Sequence, residues 1–281
     1  MRLIRIEHTL FSLPFAYSGA VLVRVPTPKE ALLIFTALFG IRGFALIVNN
    51  IVDKDIDAKN PRTAKRPIPS GEVSVREAWA LAFLFLILYF VSAYFLNVYA
   101  LMLSPIFPIM AYVYPYIKRK LPIAHFWLGG VLGGAVVGGA IAVSGDAPSL
   151  LAALARVPWV YVAAVACWVS SFDVLYAVLD VDFDRKEGLH SLPADFGVER
   201  ALKVSEACAI SFGWLIIWSV KLYALNVLSS IAISLGLFTL AKLYGLAERD
   251  VVEAAKRSLD TNVLVGVLVG GAPLLKLVPL P

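Results

Sequence analysis

Charge and metal-binding side chains are scarce in this sequence. Only 16% of its 281 residues are Asp, Glu, Lys or Arg, and it holds three histidines and two cysteines. So few His and Cys, without a repeated spacing, argue against a zinc or iron–sulfur centre. Cys167 and Cys208 both lie in apolar runs, where a thiol packs as a small hydrophobe, and they say nothing about redox compartment. No glycine-rich phosphate loop of the P-loop kind is present, which argues against a P-loop ATPase, and no nucleophile–base pair stands out. The start, Met1 to His8, runs straight into an apolar segment without a small-residue cleavage site, so no cleavable leader is expected.

What fills the sequence instead is apolar. Hydrophobic residues make up 60%, and the mean hydropathy is +0.81, far above an ordinary soluble domain. The expectation is an all-α, polytopic membrane protein, one domain spanning 1–281. Dividing the chain at roughly 20 apolar residues per span gives nine transmembrane helices. They fall near 7–24, 29–52, 75–96, 98–117, 123–144, 157–181, 199–222, 225–246 and 262–279. Segments such as Ala80–Phe95 lack the polar stripe of a water-soluble helix.

The net charge of +5 does not suggest nucleic acid, because the basic residues alternate between connections. One set of loops carries Lys54 to Arg76, Lys118 to Lys120, Arg185 to Lys203, and Arg249 to Arg257; the other set is nearly bare. The positive-inside bias places the rich set and the N-terminus in the cytoplasm and the C-terminus outside, which requires an odd number of spans.

Two acidic stripes sit at ends of apolar segments on that side. Asn49, Asp53 and Asp57 are spaced four apart, and so share one helix face. Asp173, Tyr176, Asp180 and Asp184 follow steps of three, four and four, again one face. Asp55 and Asp182 fall on other faces. Oxygen ligands of this kind suit Mg2+, which usually bridges a few carboxylates to a substrate phosphate. A basic, proline-containing loop from Arg62 to Gly71 follows the first stripe; Pro67 and Pro69 forbid one regular helix, so a short cap over the membrane face is expected. Arg62, Arg66, Lys118 and Arg119 can neutralise a polyphosphate, and Tyr114 and Lys118 share a face.

Other residues carry two readings. Asp173 is deep in a span, where an acid is costly unless functional or paired. Arg42, about two turns before Asn49, is either its ion-pair partner or a bidentate clamp on a substrate carboxylate. Glycines between Gly129 and Gly139 permit close helix packing, and can also leave room for a bulky lipid-like substrate. His8 and His125 read as interfacial residues, and His190 as a cap-loop residue within reach of phosphate.

At these residues the sequence resembles the UbiA superfamily of intramembrane prenyltransferases. Asn49-x-x-x-Asp53-x-x-x-Asp57 looks like its first Asp-rich motif, with Asn50 where many relatives have aspartate. Asp173-x-x-Tyr176-x-x-x-Asp180-x-x-x-Asp184 looks like the second. Arg62 to Gly71, with Lys65-Arg-Pro-Ile-Pro-Ser-Gly71, resembles the cap loop, and Tyr114-x-x-x-Lys118 the Tyr-Lys motif. The four come in family order, and the segment Asp180 to Pro193 is most similar to 4-hydroxybenzoate and related quinone-pathway polyprenyltransferases.

The resemblance implies a nine-helix bundle in the cell membrane with a Mg2+-dependent site at its cytoplasmic end. Asn49, Asp53, Asp57, Asp180 and Asp184 would hold metal. Arg42, Arg62, Arg66, Tyr114, Lys118, Asp173 and Tyr176 would contact substrates. The partners implied are a polyprenyl diphosphate, an aromatic acceptor such as 4-hydroxybenzoate, and the lipid bilayer. A glycerol phosphate ether acceptor is the alternative. An ion-coupled transporter fits less well, since the acids gather at one membrane end rather than at the midplane.

Overall fold

The computed structural model describes residues 6–279, with side chains described from Ser12 onwards. Every regular element among them is helical. Helices α1 (Ile6–Val23) and α2 (Pro28–Val52) are followed by the short α3 (Lys54–Lys59). Then come α4 (Val75–Leu96), α5 (Val98–Leu103), α6 (Ile106–Ile117) and α7 (Ala124–Ala142), and the short α8 (Leu150–Ala155). The second half is built from α9 (Trp159–Ala177), α10 (Val181–Glu187), α11 (Leu192–Phe196), α12 (Val198–Leu222), α13 (Val227–Ala247) and α14 (Val251–Val265).

Eight spans are long and apolar enough to cross a membrane: α2, α4, α5 with α6, α7, α9 with α10, α12, α13, and α14 with the turns that follow it to Leu277. With the 18-residue α1, they give nine long helical segments among the described residues, in line with the all-helical bundle expected. The outward surface is apolar: Leu84, Ile87, Trp214, Ile217 and Trp218 are all exposed, Trp214 by 73%. Such a surface would be costly in water and is ordinary against lipid tails.

Local chemistry explains where the helices start and stop. Thr27 and Ser74 each form a capping box, with Glu30 and Glu77, opening α2 and α4. The span expected as one helix over 98–117 is broken at Ser104–Pro105, because proline supplies no N–H to the preceding turn. The Tyr89 hydroxyl donates to the Ser104 carbonyl at 3.0 Å, satisfying that acceptor. The last span begins at Val251, not 262: Asp250 caps it, and Lys256 and Arg257 lie on the helix rather than in a loop. It loosens into a π-turn over Gly266–Gly270. Carbonyls freed there accept from buried hydroxyls, Ser18 to Gly270 at 2.6 Å and Tyr161 to Val269 and Gly270 at 3.1 and 3.0 Å.

Glycine brings α1 and α7 into backbone contact. A Cβ on Gly139 would stand 1.8 Å from the Ala16 carbonyl oxygen, and one on Gly19 would stand 2.1 Å from that of Val136. Gly138, one residue away, faces open space with no atom within 4 Å. Gly139→Ala should therefore destabilise the bundle by about 1–3 kcal/mol, the usual overpacking cost. Gly138→Ala should stay within about 0.5 kcal/mol of the parent. Thermal unfolding in detergent checks both.

Candidate active site

The first acidic stripe survives an interruption in its helix. α2 ends at Val52 and α3 starts at Lys54, yet the Asp53 N–H donates to the Asn49 carbonyl at 3.0 Å, and the Asp57 N–H to that of Asp53 at 2.7 Å. The four-residue hydrogen bonding thus runs through the junction and keeps the three side chains in line. The second stripe crosses a similar junction. α9 tightens into a 3-10 turn at Val178–Asp180 and resumes as α10, which stops at Gly188, whose φ of 66° only glycine adopts readily.

Both stripes border one polar cavity of about 230 Å3. Asn49, Asp57, Asp173, Tyr176, Asp180 and Asp184 line it, with Arg62, Arg66, Tyr114 and Lys118 from the first cap and the end of α6. Asp55 and Asp182 are exposed elsewhere, as their helical phase requires. Asn50 is turned away and donates to the Leu46 carbonyl at 2.7 Å. The first cap is a series of turns from Asn60 to Ser74, as its prolines demand. It is drawn over the cavity by Arg62, which bonds Asp180 and donates to the Tyr176 hydroxyl at 2.6 Å, with its guanidinium 5.0 Å from that ring's centre. Lys59 and Glu187, 2.6 Å apart, join the two caps at the surface.

The carboxylates are held individually. Asp57 accepts from Arg66 at 2.6 Å. Burial raises the Asp57 pKa, and the Arg66 charge opposes that shift. Asp184 accepts from the Ser191 hydroxyl at 2.9 Å. Asp53 differs from the expected cavity-facing ligand. It is 0% exposed, bonded to Lys118 and, at 3.2 Å, to Arg119. Arg119 also donates to the Val52 carbonyl at 2.6 Å, where α2 ends.

His125 is the residue the sequence reading misplaced. It is only 5% exposed and lines the cavity. Its Nδ1 lies 2.7 Å from Asp173 Oδ2, and its Nε2 accepts from the Leu192 N–H at 3.4 Å. Nδ1 therefore carries the proton and donates to Asp173. One imidazole ties α7 to α9 and to the start of α11. The second cap is also pinned by His190, whose N–H donates to the Lys118 carbonyl at 2.9 Å.

Arg42 lines a separate cavity of about 120 Å3, apolar but for Arg42, Ser12 and the Tyr89 ring. Its walls include Ala45, Ala111 and Val131, each within two turns of a residue lining the polar cavity on the same helix: Asn49, Tyr114 and His125. The two cavities are thus stacked along α2, α6 and α7. From the polar one, the apolar one extends away from the caps.

Magnesium suits the amide and carboxylate oxygens that the two stripes offer in the polar cavity. The buried Asn49 Oδ1 has no hydrogen-bond partner, as a ligand oxygen can afford. Among the described residues no three His, Cys, Asp or Glu side chains are grouped to hold an ion by themselves. These described residues therefore form no closed protein cage for an ion.

Residues 12–274 match the UbiA prenyltransferase family. The chain belongs to that family. A UbiA homologue from Aeropyrum pernix K1, solved in its apo form, is 44% identical with a TM-score of 0.92, covering 98% of this chain and 99% of its own. A UbiA homologue from Archaeoglobus fulgidus bound to GPP and Mg2+ shares the fold, with a TM-score of 0.68 at 22% identity, covering 95% and 98%. A 4-hydroxybenzoate octaprenyltransferase from Pectobacterium atrosepticum is 32% identical over 189 residues, 67% of this chain. The match spans 62% of that relative's length.

Removing the imidazole should loosen the second cap. His125→Ala is expected to cost about 1–3 kcal/mol, the penalty for leaving buried partners unsatisfied. It should raise amide hydrogen exchange across residues 188–196 while leaving the first cap protected, read by mass spectrometry.

Proposed function

We propose that this member of the family transfers a prenyl group from an allylic polyprenyl diphosphate to an aromatic acceptor such as 4-hydroxybenzoate, in a Mg2+-dependent reaction. The observation that carries the reading is the stacking of a polar, cation-ringed cavity on an apolar one, which matches a diphosphate headgroup joined to a hydrocarbon tail. The Pectobacterium relative's name supports the acceptor class. The basic loops at the cavity end support a cytoplasmic position for that end, with the N-terminus inside.

Arg62, Arg66, Lys118 and Arg119 receive the diphosphate oxygens and stabilise the charge that develops as the carbon–oxygen bond breaks. Asn49, Asp57, Asp180 and Asp184 on the cavity wall, with Asp53 behind them, would hold Mg2+, which would supply Lewis-acid stabilisation of that leaving group. Tyr114 adds a hydroxyl beside it. Tyr176 offers a ring face near the allylic carbon, where cationic character appears. The caps keep water from that carbon. Asp173, oriented by His125, contacts substrate at the cavity wall. Arg42 grips the acceptor's carboxylate in a bidentate manner from the wall of the apolar cavity. The acceptor ring attacks, a carbon–carbon bond forms, and the ring loses a proton.

Membranes containing the protein should prenylate 4-hydroxybenzoate from geranylgeranyl diphosphate, with pyrophosphate released in equal amount. Product formed only with a prenylglyceryl phosphate acceptor would assign the ether-lipid reaction instead. Asp180→Ala should lower kcat by at least about 100-fold, as for loss of a leaving-group stabiliser, with the bundle still folded by thermal unfolding. Arg42→Ala should raise KM for the acceptor about tenfold or more, leaving KM for the diphosphate near its parent value; equal changes in both would remove the clamp role.

A further inference from the structure

The outer face of α13 carries a stripe that the proposed reaction does not use. Ile231, Leu235, Phe238, Lys242, Gly245 and Arg249 follow steps of four and three, so they line up along the helix and into the turn after it, and all six are exposed. Gly236, Leu240, Leu243 and Ala247 are buried on the opposite side, so the stripe looks out of the bundle. α13 ends on the side of the caps. The Tyr244 hydroxyl is 2.6 Å from that of Ser205, near the start of α12, and the next helix, α14, packs against the 3-10 turn at Val178–Asp180. Lys242, five residues before the last of α13, therefore stands about 7.5 Å inside that end. Its ammonium is folded back one turn, 4.5 Å from the centre of the Phe238 ring. Among the described residues no carboxylate pairs with it or with Arg249; the ion pairs of the flanking helices join Lys203 to Glu199 and Arg257 to Glu253. A cation that faces lipid without a counter-charge is costly, and an aromatic face offsets only part of that cost.

Between the two cations the surface is bare. A Cβ on Gly245 would meet open space, with no atom within 4 Å, so a shallow notch separates Lys242 from Arg249. The order along the stripe is thus apolar, apolar, aromatic, cation, notch, cation, and the cations lie toward the membrane surface. That is the polarity of a phospholipid laid against the helix. We propose that this face binds one anionic phospholipid of the leaflet at the cap-bearing end. Its phosphate sits over Gly245 and accepts from Lys242 and Arg249, and an acyl chain runs along Phe238, Leu235 and Ile231. Both side chains are long enough to bring their charged ends to the notch, and the guanidinium offers two parallel donors to the phosphate. Headgroup charge decides which lipid is held. A phosphatidylcholine also has a phosphate, but its own ammonium is repelled by the two cations. A lipid whose headgroup has no cation, such as phosphatidylglycerol, supplies the missing counter-charge without that repulsion.

Native mass spectrometry of the full chain in detergent tests this, with phosphatidylglycerol and phosphatidylcholine of the same acyl chains as titrants. The first phosphatidylglycerol should bind at least about tenfold more tightly than the first phosphatidylcholine, given two cations at the site. Lys242→Gln and Arg249→Gln should each lower the phosphatidylglycerol affinity about fivefold, the usual effect of one basic residue near an anionic lipid, and leave phosphatidylcholine unchanged. Gly245→Leu keeps both charges and fills the notch; it should lower the phosphatidylglycerol affinity as well, which a diffuse positive surface would not show. Lys203→Gln removes a cation from α12, outside the stripe, and should change neither lipid more than about twofold. All four positions are on the surface, so thermal unfolding should stay near that of the parent. Excess inorganic phosphate should leave phosphatidylglycerol bound, because it brings no acyl chain. Equal affinity for the two lipids in the parent would overturn the proposal. So would an effect of Lys203→Gln as large as that of Lys242→Gln, an unchanged affinity in Gly245→Leu, or displacement by inorganic phosphate, which would mark a site for soluble anions instead.

Discussion

Asp53 has no water around it, so its charge has to be balanced from within the protein. That constraint fixes much of the end that carries the caps. Lys118 and Arg119 must come to the acid, which draws the end of α6 against the end of α2. The Lys118 carbonyl then receives the His190 N–H, and the second cap is set by the same residue that neutralises the first stripe. Charges placed at the rim of an apolar bundle are costly one at a time. Paired across helices, they determine which helix ends meet.

The stripes were legible because four-residue spacing is read directly as a shared face, and that spacing outlasts the helix breaks at Asp53 and Asp180. The span count followed from apolar length, which lipid imposes on any helix that crosses it. What escaped the sequence was long-range. His125 looked interfacial because Asp173 lies 48 positions away and Leu192 lies 67 away; nothing local marks an imidazole for burial. The start of α14 was missed because its first turns carry Glu253, Lys256 and Arg257, and hydropathy discounts an amphipathic turn although Asp250 caps it well. The break at Pro105 was hidden inside a continuous apolar run.

Division of labour between the halves of the bundle also emerges. α1 and α7 touch backbone to backbone through Gly19 and Gly139, and the Trp168 ring meets Phe15 at a tilt and Phe172 edge-on, with centroids 5.2 and 5.3 Å away. The same indole donates to Asn262 at 2.7 Å, fastening α9 to the last span. These contacts make a rigid floor. Apart from Arg42, inside α2, the residues that meet substrate in the proposed reaction stand on that floor and come from the cap-bearing ends of helices and from the caps.

The apolar wall around Arg42 has an energetic corollary. In water, an oily chain entering such a chamber would gain greatly from leaving solvent. Inside a bilayer it merely trades lipid neighbours for protein ones, and the solvophobic gain largely vanishes. Recognition of the hydrocarbon then falls to shape, and grip falls to the ionic head. A molecule with the right head and a tail of another length would be held almost as firmly, which makes tolerance toward tails the natural default of this architecture.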